Sequence, residues 1–313
     1  MADLDTFGLD VGIYGSLARP DIILELGRFA EDRGFGSIWV ADHVAFPVSY
    51  KSSYPYAREG DFPARLDDPL MEPIATIGVL VGATRRVRIG TAVLVMPHRH
   101  PLLMARMMAT LDQFSGGRIT LGAGVGWLEE EFKALGFEDF ARRGKATDEA
   151  IEIFKAICKG GEVGYQGKVY AFDPVLSVPG SVQRPHPPVL IGGVADVALR
   201  RVARLGDGWL AVSMGPELLG ERLVRLEQLT TEAGRRFSDL ALSFKAFISI
   251  GEPKRGRYGD REPGTGTVTE IIDDLKRLRD QGFNEIIVRS RGGTLAETRD
   301  QIDRFVGEIA AKV

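Results

Sequence analysis

The sequence predicts an α/β fold, a (β/α)8 TIM barrel with insertions after strands 2, 4 and 7, carried as one domain over residues 1–313. Three observations predict it. Short apolar runs alternate with longer runs of helical period along most of the chain, which implies a parallel sheet wrapped by helices. Eight such units can be traced, the number that closes a barrel. No Gly-x-Gly-x-x-Gly turn opens the first helix, which sets the pattern apart from an open dinucleotide-binding sheet.

Residues 7–13 read as the first strand, because Phe7, Leu9, Val11 and Ile13 alternate with Gly8, Asp10 and Gly12. Pro20-Asp21 opens a helix whose Ile22, Ile23, Leu26, Phe29 and Ala30 share a face, and Gly34 stops it. A short buried strand, 37–41, is followed by a long polar loop, 47–68, of the kind that usually serves function in a compact domain. A helix over 71–84 leads to a strand over 87–95, rich in Val, Ile and Leu and therefore buried on both faces. The helix over 102–114 ends at Gly116-Gly117, and the strand over 118–122 follows. Ala150, Ile151, Phe154 and Ile157 form the core stripe of a helix over 145–159. From 160 to 188 the chain loses its period and reads as an inserted loop or short hairpin. Strands over 189–191, 208–212, 242–250 and 285–288 then alternate with helices over 196–205, 216–233, 268–281 and 295–309. A second irregular stretch, 252–266, follows the seventh strand.

Composition narrows the function classes. A formal net charge of −3 leaves no electrostatic footprint for nucleic acid or an anionic membrane. Arg85-Arg86 and Arg200-Arg201 read as solvated helix ends or capping charges. The single cysteine, Cys158, has no internal disulfide partner and sits among Phe154, Ala156 and Ile157 as a small buried hydrophobe. Residues 1–10 hold three aspartates and no basic residue, unlike a secretory signal, and the most apolar run, 74–83, is too short to span a bilayer. The expected location is the cytoplasm.

In a barrel the chemistry lies at the carboxyl ends of the strands. At the second strand end stand Asp42 and His43, a carboxylate and an imidazole able to exchange a proton near neutral pH. Adjacent side chains on a strand point to opposite faces, so the two need not bond each other. A turn-capping aspartate beside a solvated histidine is an equal reading of the same pair. Gly122, Gly124 and Gly126 follow the fourth strand, where bare glycine lets a flat ring approach the backbone. Gly192 and Gly193 precede a helix start, where free N–H groups bind phosphate, a tight βα turn being the other reading. His98-Arg99-His100 could suggest a metal, but no further ligand cluster supports one, and none is expected. No Gly-x-Ser-x-Gly elbow or P-loop is present.

The run Gly34-Phe35-Gly36-Ser37-Ile38-Trp39-Val40-Ala41-Asp42-His43 resembles the second-strand signature of the luciferase-like monooxygenase family. So do Ile89-Gly90-Thr91-Ala92-Val93-Leu94, Asp112-Gln113-Phe114-Ser115-Gly116-Gly117-Arg118 with residues 121–127, and Gln183-Arg184-Pro185-His186-Pro187-Pro188 leading into Ile191-Gly192-Gly193 and Gly206-Asp207-Gly208-Trp209. The resemblance implies a TIM barrel, usually a homodimer, that binds FMN or the 5-deazaflavin coenzyme F420. The Asp-His pairing and the length are closer to the deazaflavin branch. It further implies that Asp42, Ala92 and Val93 border the ring, often with a cis peptide at the latter pair. Gly192, Gly193, Val194 and Ala195 would hold the coenzyme phosphate, and His43 would handle a proton. Trp127 stands where the branch's sugar-phosphate dehydrogenases carry a glutamate, and Pro47 where they carry a tryptophan, which argues against a glucose-phosphate substrate.

The expectation is therefore hydride transfer between F420 and a small organic substrate. Its rivals are an FMN-dependent monooxygenase using O2 and a coenzyme-binding protein without turnover. Phe46, Tyr50, Tyr54, Tyr56 and Trp127 are candidate lining for an apolar substrate pocket, and loops 47–68 and 252–266 are candidate lids. Glu129 and Glu130 read as first-turn charges of a helix. Met104, Ala105, Met107 and Met108 read as core, with a dimer face as the other possibility.

Overall fold

The computed structural model describes residues 6–57, 59–62, 65, 67–212, 214–257 and 259–313, so the sequence reading of the first five residues lies outside the described residues. Eight strands among them pair in parallel around a closed ring: Phe7–Asp10 (β1), Ser37–Val40 (β2), Arg88–Thr91 (β3), Ile119–Gly124 (β4), Val189–Gly192 (β5), Gly208–Val212 (β6), Ala241–Ile250 (β7) and Glu285–Ser290 (β8). The ring closes where Phe7 of β1 meets Ile286 of β8. The barrel predicted from the alternation is the fold.

The lumen explains several small residues. Ser37 and Trp39, two apart on β2, both point inward. The Trp39 indole fills the barrel, and a Cβ at Gly8 or Gly90 would come within 2.6 or 2.5 Å of it. Its Nε1 donates to Ser37 Oγ, which donates to Glu285 Oε1 at 2.6 Å, while Ser243 donates to Glu285 Oε2 at 3.0 Å. Buried polar groups at this end are thus paired with one another.

Around the ring lie Pro20–Arg33 (α1), Pro73–Ala83 (α2), Pro101–Ser115 (α3), Arg143–Lys159 (α4), Asp196–Leu205 (α5), Pro216–Glu232 (α6), Val268–Asp280 (α7) and Leu295–Arg304 (α8). Proline opens α1, α2, α3 and α6, where its missing N–H costs nothing. Thr267 with Glu270, and Thr294 with Glu297, form complete capping boxes on α7 and α8. Met104, Ala105 and Met108 of α3 are fully buried and contribute core as read, whereas Met107 is 37% exposed and does not. Cys158 is buried too, and burial pushes its thiol up to about 12.

The insertion between α4 and β5 is an antiparallel hairpin of Gly161–Gln166 and Ala171–Ser177. Several sequence boundaries shift by a residue or two, and three shift for a visible reason. The first strand stops at Asp10 because Gly12 takes a positive φ and donates its N–H to Asp10 Oδ1. The third strand breaks after Thr91, where the Ala92–Val93 peptide is cis, and resumes only as Leu94–Val95. The last helix gives way to a π-turn at Phe305–Ile309. Among the described residues no helix is long and apolar enough to cross a membrane.

Candidate active site

A cavity of about 1030 Å³ opens at the carboxyl ends of the strands. One end is aromatic and contains His43, whose side chain is 7% exposed. The His43 ring lies 4.7 Å from Phe46, 5.0 Å from Phe62, 6.0 Å from Tyr14 and 6.1 Å from Trp127, and Trp127 stacks on Phe62 at 5.6 Å. Burial, followed by the neighbouring Tyr14 and Tyr56, raises the Tyr54 phenol far above its usual value, so it stays a neutral donor.

His43 is oriented by a residue the sequence reading passed over. Its Nδ1 lies 2.8 Å from Glu131 Oε2, while Glu131 Oε1 accepts from the N–H groups of Val44 at 2.6 Å and Ala45 at 3.1 Å. Burial alone would raise the Glu131 carboxyl. The His43 hydrogen bond and charge, the His98 charge and the Val44 N–H outweigh it and hold the carboxyl below its usual value. An ionised Glu131 accepts the Nδ1 proton, which leaves Nε2 as the nitrogen open to a ligand. The signal for Glu131 was its spacing: Leu128 and Phe132, three residues before it and one after, are both buried, so the third glutamate of the run turns inward.

Asp42 does not bond His43. Its carboxylate, with no exposed side-chain surface, accepts from Arg99 Nη1 at 2.8 Å and Nη2 at 3.0 Å and from the Val95 N–H at 2.8 Å. Arg99 also bonds Glu72 at 2.7 Å. This network ties β2 to the Leu94–Val95 segment and to the head of α2, and it fixes the cavity wall that Ala92 and Val93 help to form. Arg99 lay inside the His-x-His run that the sequence reading weighed only as a metal motif. The two histidines diverge: His98 is buried against Phe132, and burial holds it below its usual value, while His100 packs on Tyr170. Among the described residues no group of three or more His, Cys, Asp or Glu could hold a metal.

The glycines behave differently from the expectation. A Cβ on Gly124 would stand 2.3 Å from Val93 Cγ2, and one on Gly192 would stand 2.5 Å from Val93 Cγ1. Both glycines make room for the Val93 side chain, while still lining the cavity. Gly122 lies outside the lining; a Cβ there would meet the Thr91 carbonyl at 1.9 Å, so its role is close packing of β4 on β3. Phe46 likewise supports His43 without lining the cavity, whereas Trp127, Tyr54 and Tyr56 do line it.

At the opposite end the cavity meets the start of α5, where Gly193, Val194 and Ala195 lie on the wall. Ala195 provides no side-chain cap, and Gly193 is held by the Trp209 indole, which donates to its carbonyl at 2.8 Å. Uncapped N–H groups facing a cavity suit an anion. The same end carries basic side chains. Arg201, read from sequence as a solvated helix-end charge, is 8% exposed, bonds Asp148 at 2.5 Å and lines the cavity; Arg200 lines it too. The expectation failed for Arg201 because α5 runs along the cavity there, while Arg200 is exposed as read. Arg85 and Arg86 are exposed, as read.

Residues 5–256 match the family described as luciferase-like monooxygenase. An uncharacterized protein of Mycobacterium tuberculosis, Rv0940c, is 31% identical over 270 residues, 86% of this chain and 84% of that protein. An F420-dependent glucose-6-phosphate dehydrogenase of Microbacterium testaceum is 30% identical over 234 residues, 74% of this chain and 64% of that one. Among solved structures, an F420-dependent secondary alcohol dehydrogenase in complex with an F420-acetone adduct superposes with a TM-score of 0.79 at 19% identity, covering 98% of this chain and 99% of that one.

Proposed function

The chain belongs to the luciferase-like monooxygenase family, and from that premise we propose that it is an oxidoreductase passing a hydride between coenzyme F420 and a small organic substrate. The observation that carries this reading is the His43–Glu131 pair, buried at one end of a cavity whose other end is an uncapped helix start lined with cations. The residues fit a tricyclic coenzyme with an anionic tail. Ala92, Val93, Gly124 and Gly192 form a wall with little side-chain bulk apart from Val93, and the N–H groups at Gly193, Val194 and Ala195 suit a phosphate. When bound, the deazaflavin supplies the carbon centre that gives or takes the hydride.

The protein's own work is orientation and proton handling. Glu131 fixes the His43 tautomer, so that Nε2 takes the proton leaving the substrate heteroatom as hydride leaves the adjacent carbon, or returns it in the reverse direction. Phe62 and Trp127 pack on the histidine, backed by Tyr54 on Trp127, and exclude water from it. Asp42 acts through Arg99 and Val95, holding the wall in place. The 30% identical glucose-6-phosphate dehydrogenase supports the coenzyme assignment.

Fluorescence titration of coenzyme-free protein with F420 and with FMN tests the reading. Tight F420 binding with weak FMN binding is expected, followed by substrate-dependent change in F420 absorbance. A reversed preference with oxygen consumption would replace it by an FMN monooxygenase. Tight binding without turnover across a broad substrate panel would leave a coenzyme-binding protein.

A further inference from the structure

Lys245 is a buried cation beside the reacting centre that the steps above leave without a task. It stands on β7 two residues after Ser243, on the same inward face, and pairs in register with Val212 at the end of β6. That position is the top of the lumen, where Lys245 lines the cavity together with Ala92 and Val93 while remaining only 7% exposed. Its ammonium pairs with Asp10 at the end of β1 and lies 3.4 Å from the Ala92 carbonyl, on the wall that suits the coenzyme ring.

Asp10 has a second cation of its own. Its buried carboxylate pairs with Arg289 Nη1 at 3.3 Å and accepts the Gly12 N–H at 2.9 Å. Burial alone would raise the Asp10 carboxyl; Lys245 and Arg289 outweigh it and hold the group below its usual value, ionised. Among the described residues neither cation pairs with another carboxylate. Two cations thus share one anion, and the trio carries one surplus positive charge. Arg289 lies over the Tyr14 ring at 4.9 Å and does not line the cavity, so Lys245 is the member that presents the surplus there. An unbalanced buried charge is costly, and an apolar side chain beside a neutral Asp10–Arg289 pair would be less so. Stability alone therefore gives no reason for a lysine at this position.

We propose that Lys245 holds the negative charge that the coenzyme ring gains with the hydride. The inference rests on the F420 reading and extends it from the proton to the electron pair. In the oxidation direction the substrate C–H bond breaks, and both its electrons pass to the ring with the hydrogen. The substrate O–H bond breaks as well, and its proton goes to His43 Nε2. The substrate leaves as a neutral carbonyl compound, His43 gains one positive charge and the ring gains one negative charge. Glu131 answers the first charge and Lys245 the second, each already in place before the step.

The test titrates the intact coenzyme-free protein, under exclusion of air, with oxidised and with reduced F420. Protein tryptophan fluorescence follows binding, since Trp127 lines the cavity. Lys245→Met is expected to weaken the reduced form about tenfold more than the oxidised form, equivalent to a fall of about 30 mV in the two-electron potential of the bound coenzyme. Asp10→Asn removes negative charge instead and should move the ratio of the two affinities the other way. Binding of the oxidised form reports that each variant has folded. Equal weakening of both forms by Lys245→Met would overturn the proposal and leave the coenzyme reading intact, as would a shift in the same direction in both variants. An unchanged ratio beside a raised KM for acidic but not for neutral substrates would also overturn it, and would give Lys245 to a substrate carboxylate. Failure of both F420 forms beside tight FMN binding would remove the coenzyme reading itself. The same titration with oxidised and reduced FMN would then judge Lys245 separately: selective loss of the reduced form would support the charge role, and equal loss would overturn it.

Discussion

At the aromatic end of the cavity every ionised group has a fixed partner: Glu131 holds His43, and Asp42 is clasped by Arg99. At the other end, side chains such as Arg200 and Arg204 are about half exposed, at 51% and 56%, and their counter-ions are shared or distant. The difference separates two uses of charge. Buried, hydrogen-bonded ions set geometry to within an ångström and are costly to break singly. Half-exposed cations set a field, tolerate displacement and are screened by salt. Chemistry needs the first kind of control, and attraction of an anionic group needs only the second. If this division holds, substitutions at the two ends will fall on different kinetic constants.

The largest effect is expected from His43→Ala. Loss of a positioned acid–base group lowers kcat by about 10²–10⁴-fold. The coenzyme dissociation constant, read by titration, should change by less than about threefold, because the substitution lies away from the anionic end. Equal losses in turnover and coenzyme affinity would break the comparison, since one end would then be doing both jobs.

Glu131→Gln sharpens it. The amide still fills the space but cannot hold the imidazole as a carboxylate does, and kcat is expected to fall by about 10–100-fold, with the pH–rate profile displaced on its acidic limb. The same residue makes a stability prediction whose sign follows from its lowered pKa. A carboxyl held below its usual 4.5 in the folded state stabilises fully above that pH and loses the contribution as pH falls through the folded value. Thermal unfolding of wild type and Glu131→Gln should therefore differ most near neutrality and converge as the pH drops below 4.5. A gap that widens in acid would contradict the assignment of Glu131 as the ionised partner.

These two residues also mark what the sequence could reveal. The barrel was legible because its signal is repeated: eight apolar runs, each followed by a helix with an apolar stripe, leave little room for another topology. His43 was legible because a titratable side chain at a strand end is placed by the fold itself. Glu131 was harder, since three consecutive glutamates look alike until helical phase is compared with Leu128 and Phe132. Arg201 was misread because helix periodicity identifies the face that meets the core but not whether another face borders a cavity. The glycines at 124 and 192 were found for an incomplete reason; the Val93 side chain between them depends on a backbone turn that no local pattern announces.

The smallest expected effect concerns how the aromatic end is closed. Glu130 accepts from the Lys51 N–H and the Ser52 hydroxyl, both at 2.7 Å, and Ser52 Oγ in turn accepts from the Glu129 N–H at 3.1 Å. The glutamate that reads in sequence as a mere first-turn charge thus pins the 47–62 loop to the short helix Glu129–Ala134, beside Tyr50 and Tyr54, which pack on Trp127. Glu129 keeps the simpler role, pairing with Lys133 one turn on. Glu130→Ala removes both anchors at a site where water can replace them, so the loop should loosen without unfolding. The expected result is a rise of about two- to fivefold in KM for the substrate, with coenzyme affinity and the acidic limb of the pH profile unchanged. A rise in coenzyme Kd would instead mean that the loop spans both ends of the cavity, and the division between geometry and field would fail at the lid first.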